Sequence, residues 1–194
     1  MKSVVLLGSV LLLSACGSMQ SQVVKKNVAF DPDSQAQIRS YGSYGSDLIR
    51  IYPETDCAKW EGTKRNAVNR RFVNGLPRKV RNISIGIPPT ELSRKTEKDT
   101  GFVFRDSYRE MVVSANQPVV LDGAFSSQTR NQHYSCRVAA SFTPKAGEAY
   151  EIRYLSEEEG CDIEVYHIGH EEKDGVRQTK KLTANYCAKP GTSF

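Results

Sequence analysis

Three histidines, a run of cations and five cysteines are the residues of this chain that could do chemistry. His167-Ile168-Gly169-His170 is an H-x-x-H sequence followed by Glu171-Glu172, and imidazole with carboxylate is a donor set that suits a transition metal. The surrounding residues read as a strand, however, on which positions i and i+3 point to opposite faces. The two rings are therefore expected to part and to sit exposed at a strand end, with no metal between them. His133 stands beside Tyr134 and Ser135, but a triad is assembled from distant parts of a chain, and there is no G-x-S-x-G elbow. Glu148, Glu151 and Glu164 could pair as acid and base, yet any exposed β surface carries as many carboxylates. No catalytic residue and no cofactor are expected.

The cations are Lys64, Arg65, Arg70, Arg71, Arg78, Lys79 and Arg81, with no acidic residue between positions 62 and 90 and with Trp60 and Phe72 in or near the stretch. Such a run suits anionic lipid headgroups, lipopolysaccharide phosphates or an acidic protein partner. Glu157-Glu158-Glu159 and Glu171-Glu172 with Asp174 balance it, and the formal net charge of +5 is too small to argue for nucleic acid.

Before any of these come sixteen residues that set the compartment. Lys2 precedes an apolar run over 4–13, then small residues, then Cys16. This is the layout of a secretory signal peptide, and the run is short of the roughly 20 residues that a membrane-spanning helix needs. Leu13-Ser14-Ala15-Cys16, followed by Gly17, resembles the lipobox of bacterial lipoproteins. The resemblance implies cleavage before Cys16, a diacylglyceryl group on its thiol and an acyl chain on its new amino group. Two or more chains give a stable anchor where one is marginal. Gly17 stands where an Asp would retain such proteins in the inner membrane, which implies the outer membrane of a Gram-negative cell.

With Cys16 so assigned, Cys57, Cys136, Cys161 and Cys187 remain, an even set that reads in an oxidising compartment as two disulfides. No two have the C-x-x-C spacing of a zinc site. Three pairings are open. Folding the chain about Asp174-Gly175, a favoured hairpin pair, sets Cys161 and Cys187 nearly opposite each other. That favours Cys161 with Cys187, and Cys57 with Cys136.

The elements that would position these residues read as strands. Residues 47–52, 80–87, 108–114, 118–125, 134–142, 149–155, 160–168 and 180–187 are short apolar or alternating runs separated by turn residues. The spacing predicts an all-β domain, an antiparallel β-sandwich or barrel-like fold with two disulfides, over 47–194. It would follow a signal peptide over 1–15 and a lipidated, flexible tether over 16–46, rich in Ser, Gln and Gly. Little helix is expected beyond a turn near 56–61, where Trp60 should pack on a disulfide at Cys57. The charged stretch 91–107 lacks a period and reads as an exposed loop.

Ser84-Ile85-Gly86-Ile87-Pro88, then Glu110-Met111-Val112-Val113 with Ala115, Gln117 and Pro118, is similar to small Gram-negative outer-membrane lipoproteins of Pseudomonas and Acinetobacter type. So is Cys136 with Phe142, Pro144, Ala146-Gly147 and Tyr150, then Cys161, Ile163 and Val165. The likeness covers about half the mature chain and implies location and fold, with no reaction and no site residues. The expected function is a lipid-anchored, non-enzymatic envelope protein that binds an anionic envelope component or a protein, or maintains the envelope. The alternative is a periplasmic inhibitor or immunity protein acting on a toxin, protease or muramidase through the loop 91–107.

Overall fold

The computed structural model describes residues 23–42, 48–63, 66–67, 72–73, 76–77, 81–99, 106–128, 130, 133–157 and 160–191. In chain order its strands are β1 (Val23–Lys25), β2 (Gln35–Gly42), β3 (Leu48–Tyr52), β4 (Asn66–Ala67), β5 (Phe72–Val73), β6 (Leu76–Pro77) and β7 (Asn82–Ser84). A single described α-helix, α1 (Glu91–Lys98), comes next. It is followed by β8 (Ser107–Ser114), β9 (Val119–Gln128), β10 (His133–Phe142), β11 (Ala149–Glu157), β12 (Gly160–Lys173), β13 (Val176–Leu182) and β14 (Asn185–Gly191).

Period-two alternation sorts these strands into two packed sheets. The larger has the order β1-β7-β8-β2-β11-β12-β13, the smaller β14-β10-β9-β3-β4, and β5 and β6 form a separate ribbon. Ile38, Val113, Ile152 and Val165 of the larger sheet meet Ile51, Leu121, Val138 and Phe142 of the smaller in one buried core. This is the expected all-β sandwich with two disulfides. The pairing is mainly antiparallel, but β2 with β11, β1 with β7 and β7 with β8 run parallel.

Three expectations need correction. The tether was expected to reach residue 46, but β2 lies within the larger sheet between β8 and β11, and its Ile38 is fully buried. Ala36, Ile38 and Ser40 share the buried face, but with a small and a polar residue beside Ile38 that face carries little apolar signal. Glu91–Lys98 is not a loop: it is a helix begun by a reciprocal capping box between Thr90 and Ser93. Neither disulfide has the expected pairing. Cys57 is joined to Cys187 and Cys136 to Cys161.

The pairing differs because the hairpin does not carry through to Cys187. The turn itself is where expected, with Asp174 and Gly175 both at positive φ as a type I′ turn requires. Beyond it, however, three residues of β12 (169–171) oppose only Gln178 of β13. The chain then leaves the larger sheet after Leu182 and enters the smaller as β14, beside β10. Cys187 is thereby carried next to the turn after β3, where Cys57 lies with its Cα 4.8 Å away. Cys136 and Cys161 both point into the core from opposite sheets, with Cα atoms 6.0 Å apart. Trp60 does pack on the Cys57 disulfide, in a small cluster with Tyr52, Val120, Ala139 and Cys187.

Peptide mapping without reduction should recover Cys57–Cys187 and Cys136–Cys161 as linked pairs; a Cys161–Cys187 peptide would contradict the strand crossing. Replacing both Cys136 and Cys161 by Ala should lower unfolding free energy by about 3.5 kcal/mol, the loop-entropy value for a closure of 25 residues, measured by urea titration.

Candidate functional site

The outer face of the larger sheet should face water by its sequence, and it does not. Arg39 of β2 stands opposite Glu110 of β8 on one side and Glu151 of β11 on the other. These three charged residues are 1 %, 3 % and 0 % exposed. Loop 85–90 and α1 lie over them.

Each charge is matched. Glu110 Oε1 accepts from Arg39 Nε at 2.9 Å and lies 2.7 Å from its Nη2. Glu110 Oε2 accepts from Ser84 Oγ and from the backbone N–H groups of Ile85, Gly86 and Ile87, at 2.7–3.2 Å. Three consecutive amides can converge on one oxygen because Gly86 has φ +103°, a conformation that a Cβ would strain. Arg39 Nη2 also donates to the carbonyls of Ile87 and Pro88. Its Nη1 lies 3.1 Å from Glu151 Oε1, which also accepts from Tyr41 OH at 2.5 Å and from Thr90 Oγ1.

Burial alone would push the Arg39 guanidinium down, but the acidic groups around it, Tyr41 and then Glu110 and Glu151, hold it above its usual range. Burial, then the Glu151 charge, push the Tyr41 phenol far up, so it keeps its proton and serves as a donor. Arg153 Nη2 completes the set at 3.3 Å from Glu151 Oε2, giving two cations to two carboxylates.

This cluster positions the helix. Thr90 caps α1 through its Oγ1 while donating from the same oxygen to Glu151. Pro89 O accepts from Arg177 N at 2.8 Å, which ties the tip of the β12–β13 hairpin to the same loop. Between α1, the hairpin and the sheet lies a cleft of about 1000 Å³. Its floor is Glu151, Arg153 and Tyr166, with the Arg153 guanidinium 4.1 Å from the centre of the Tyr166 ring. Tyr166 OH donates to Glu164, which Lys181 also contacts at 2.5 Å. One wall is the face of α1 carrying Arg94, Lys95 and Lys98, and the other is the hairpin with Arg177, Gln178 and Thr179. With Glu91 and Asp174 also at the cleft, its cations outnumber its carboxylates.

None of these cleft cations belongs to the basic stretch singled out in the sequence. Of that stretch Arg81 is described; it is exposed just before β7 and does not line the cleft. Lys64, Arg65, Arg70, Arg71, Arg78 and Lys79 lie outside the described residues, as does Cys16. The histidines are not parted. The irregularity at 169–171 lets both reach one carboxylate, His167 Nε2 at 2.5 Å and His170 Nε2 at 3.7 Å from Glu148 Oε2. Bonding to His167 holds the Glu148 carboxyl below its usual range. Among the described residues no group of three or more such side chains is set to hold a metal. His133 Nε2 lies 3.3 Å from Ser126 Oγ at an exposed strand end.

The sequence reading missed Arg39, Arg153 and the α1 cations, named Glu110 only within a strand motif, and set Glu151 aside as one of many exposed carboxylates. A charge beside an apolar strand run (Glu110 before Met111-Val112-Val113) was the signal that could have found Glu110; Arg39, between Ile38 and Ser40, carries no such signal. No protein-family model, curated protein or solved structure matches the chain.

Glu151→Gln should cost about 3 kcal/mol in urea unfolding, because it leaves Arg39 buried with half its compensation; a loss below about 0.5 kcal/mol would contradict the buried network. A pH effect follows from Glu164. Burial raises its carboxyl, and bonds from Lys181 and Tyr166 outweigh this and lower it. A lowered folded pKa contributes stability that is present above the unfolded value of 4.5 and lost as pH falls through the folded one. Thermal melts from pH 6 to pH 3 should therefore show a shallower acid decline in Glu164→Gln than in the parent.

Proposed function

We propose that this chain is a lipid-anchored, non-enzymatic binding module of the Gram-negative outer membrane, and that the cleft over the larger sheet is where it takes its ligand. The observation that carries the reading is the way the cleft is built. Its floor and one wall are fixed from behind by a buried, hydrogen-bonded charge cluster, so the surface is organised before anything binds, and less ordering cost falls on association. Two sheets bridged by a disulfide suit the same task, since they hold that surface rigid outside the cell's reducing interior.

The anchor rests on the lipobox residues. Val23, the first residue of β1, follows Cys16 by seven residues. An extended chain spans at most about 3.6 Å per residue, so a lipid on Cys16 keeps the edge of the larger sheet within roughly 25 Å of the bilayer surface. A domain held that close meets envelope lipids and glycans at high effective concentration, and a modest affinity suffices.

Two measurements test the reading. Cys16→Ala should abolish palmitate labelling; retained label would overturn the anchor. The mature chain exported without lipid, its signal segment exchanged for one cleaved independently of Cys16 and Cys16 replaced by Ala, should still sediment with isolated envelopes, and Arg94→Glu with Lys98→Glu should release it. Equal retention of both forms would move binding away from the cleft, and co-purification of one stoichiometric toxin, protease or muramidase would favour the inhibitor reading.

A further inference from the structure

Building on the reading that the cleft is the binding site, we infer that it receives the phosphate group of a polar, sugar-sized phosphate monoester, with Arg153 as the principal contact and Arg94 and Lys98 of α1 as the supporting cations. Arg153 is an underused donor. A guanidinium carries five N–H donors, and among the described residues Arg153 spends one, on Glu151 at 3.3 Å. Its Nε is enclosed without a partner and so is not itself open to a ligand, which leaves the Nη groups as the donors a ligand can use. The side chain is 26 % exposed, lines the cleft and is braced against the Tyr166 ring. A planar fork held in place with free donors is what a tetrahedral oxyanion needs.

The helix wall supplies the second observation. Arg94 and Lys98 stand four residues apart and Lys95 and Lys98 three, so these cations share one face and repel. Among the described residues no carboxylate pairs with any of them. The carbonyl end of α1 favours cations in its last turn and offsets part of this repulsion. It does not explain why the same side chains also face Arg153 across a cleft with a surplus of positive charge.

The number of charges decides the ligand class. Arg94, Lys95, Lys98, Arg153 and Arg177 line the cleft against Glu91, Glu151 and Asp174, a surplus of two cations. A phosphate monoester carries close to two negative charges near neutral pH and three acceptor oxygens, which matches that surplus, whereas one carboxylate leaves a cation unpaired. The volume sets the size. A cleft of about 1000 Å³ is at the upper end for a small-ligand site and far exceeds what a bare phosphate fills. Its lining mixes polar side chains with Leu92, Val176 and the Tyr166 ring, which suits a hydroxylated body with an apolar face, such as a sugar ring.

The test is isothermal titration calorimetry of the full chain in detergent micelles at low salt, with glucose 1-phosphate, inorganic phosphate and glucose as probes. Glucose 1-phosphate should bind and glucose should not. Arg153→Gln should weaken binding about tenfold or more, the loss of one charge-assisted contact. Because Arg153 also touches Glu151, the exposed pair Arg94→Gln with Lys98→Gln serves as a second variant that leaves the core alone, and it should weaken binding by a similar factor. Tighter binding of glucose 1-phosphate than of inorganic phosphate is expected; equal affinity for the two would overturn the sugar-sized body, since the rest of the cleft would then add nothing. No binding of glucose 1-phosphate at millimolar concentration, equal binding of glucose, or unchanged affinity in both variants would overturn it. If envelope retention still depends on Arg94 and Lys98 in that event, the binding-module reading stands and the phosphate assignment alone falls.

Discussion

The pairing of Arg39 with Glu110 and Glu151 is the interaction on which the rest of the structure depends. Three charges in register on neighbouring strands, each less than 4 % exposed, would be prohibitively costly if any were unmatched. Full matching requires loop 85–90, because that loop supplies three amides to Glu110 and two carbonyls to Arg39. It requires Thr90 as well, whose hydroxyl serves Glu151 and the helix start together. The cluster therefore selects one position for α1. A hydrophobic patch in its place would bury the helix but would not fix its register so narrowly, since apolar contact is not directional.

The smaller sheet is sealed by the same physics with different parts. Asp122 is fully buried on its outer face, where Arg50 contacts it at 2.7 Å and Arg137 holds it through both oxygens. Arg137 in turn lies 5.0 Å from the centre of the Trp60 ring, in the turn that the Cys57–Cys187 disulfide staples to β14. Each outer face thus carries a buried carboxylate, arginine partners and a short connecting segment as cover. The difference lies in what is left over. Asp122 is matched by Arg50 and Arg137 of its own sheet, while over the larger sheet α1 and the hairpin stand apart and leave the cleft.

Much of the sandwich was legible in the sequence. Within the expected strand 149–155, Tyr150, Ile152 and Tyr154 alternate with Glu151 and Arg153, and it is the former that enter the core, while Asp174-Gly175 makes the turn expected of it. The same alternation misled about the outward face, because period two says which residues share a side and not whether that side meets water. Glu151 was assigned to solvent for that reason. The helix was hidden because Glu91–Lys98 has only Leu92 as a large apolar residue and buries Ser93 and Thr96 instead, so it has no hydrophobic stripe to read. The disulfide pairing failed at the irregularity over 169–171 and at the crossing after Leu182. Both are tertiary choices, set by where β14 finds an open edge beside β10.

The most direct test of this account is native-state hydrogen exchange on Glu110→Gln against the parent protein. If the buried cluster fixes the helix, the amides of Ile85, Gly86, Ile87 and Arg94 should lose protection by about tenfold or more, while those of Ile38 and Ile152 in the sheet beneath lose much less. Equal loss at all of these positions, or none over 85–98, would contradict the claim that this cluster holds α1 in place and so makes the cleft.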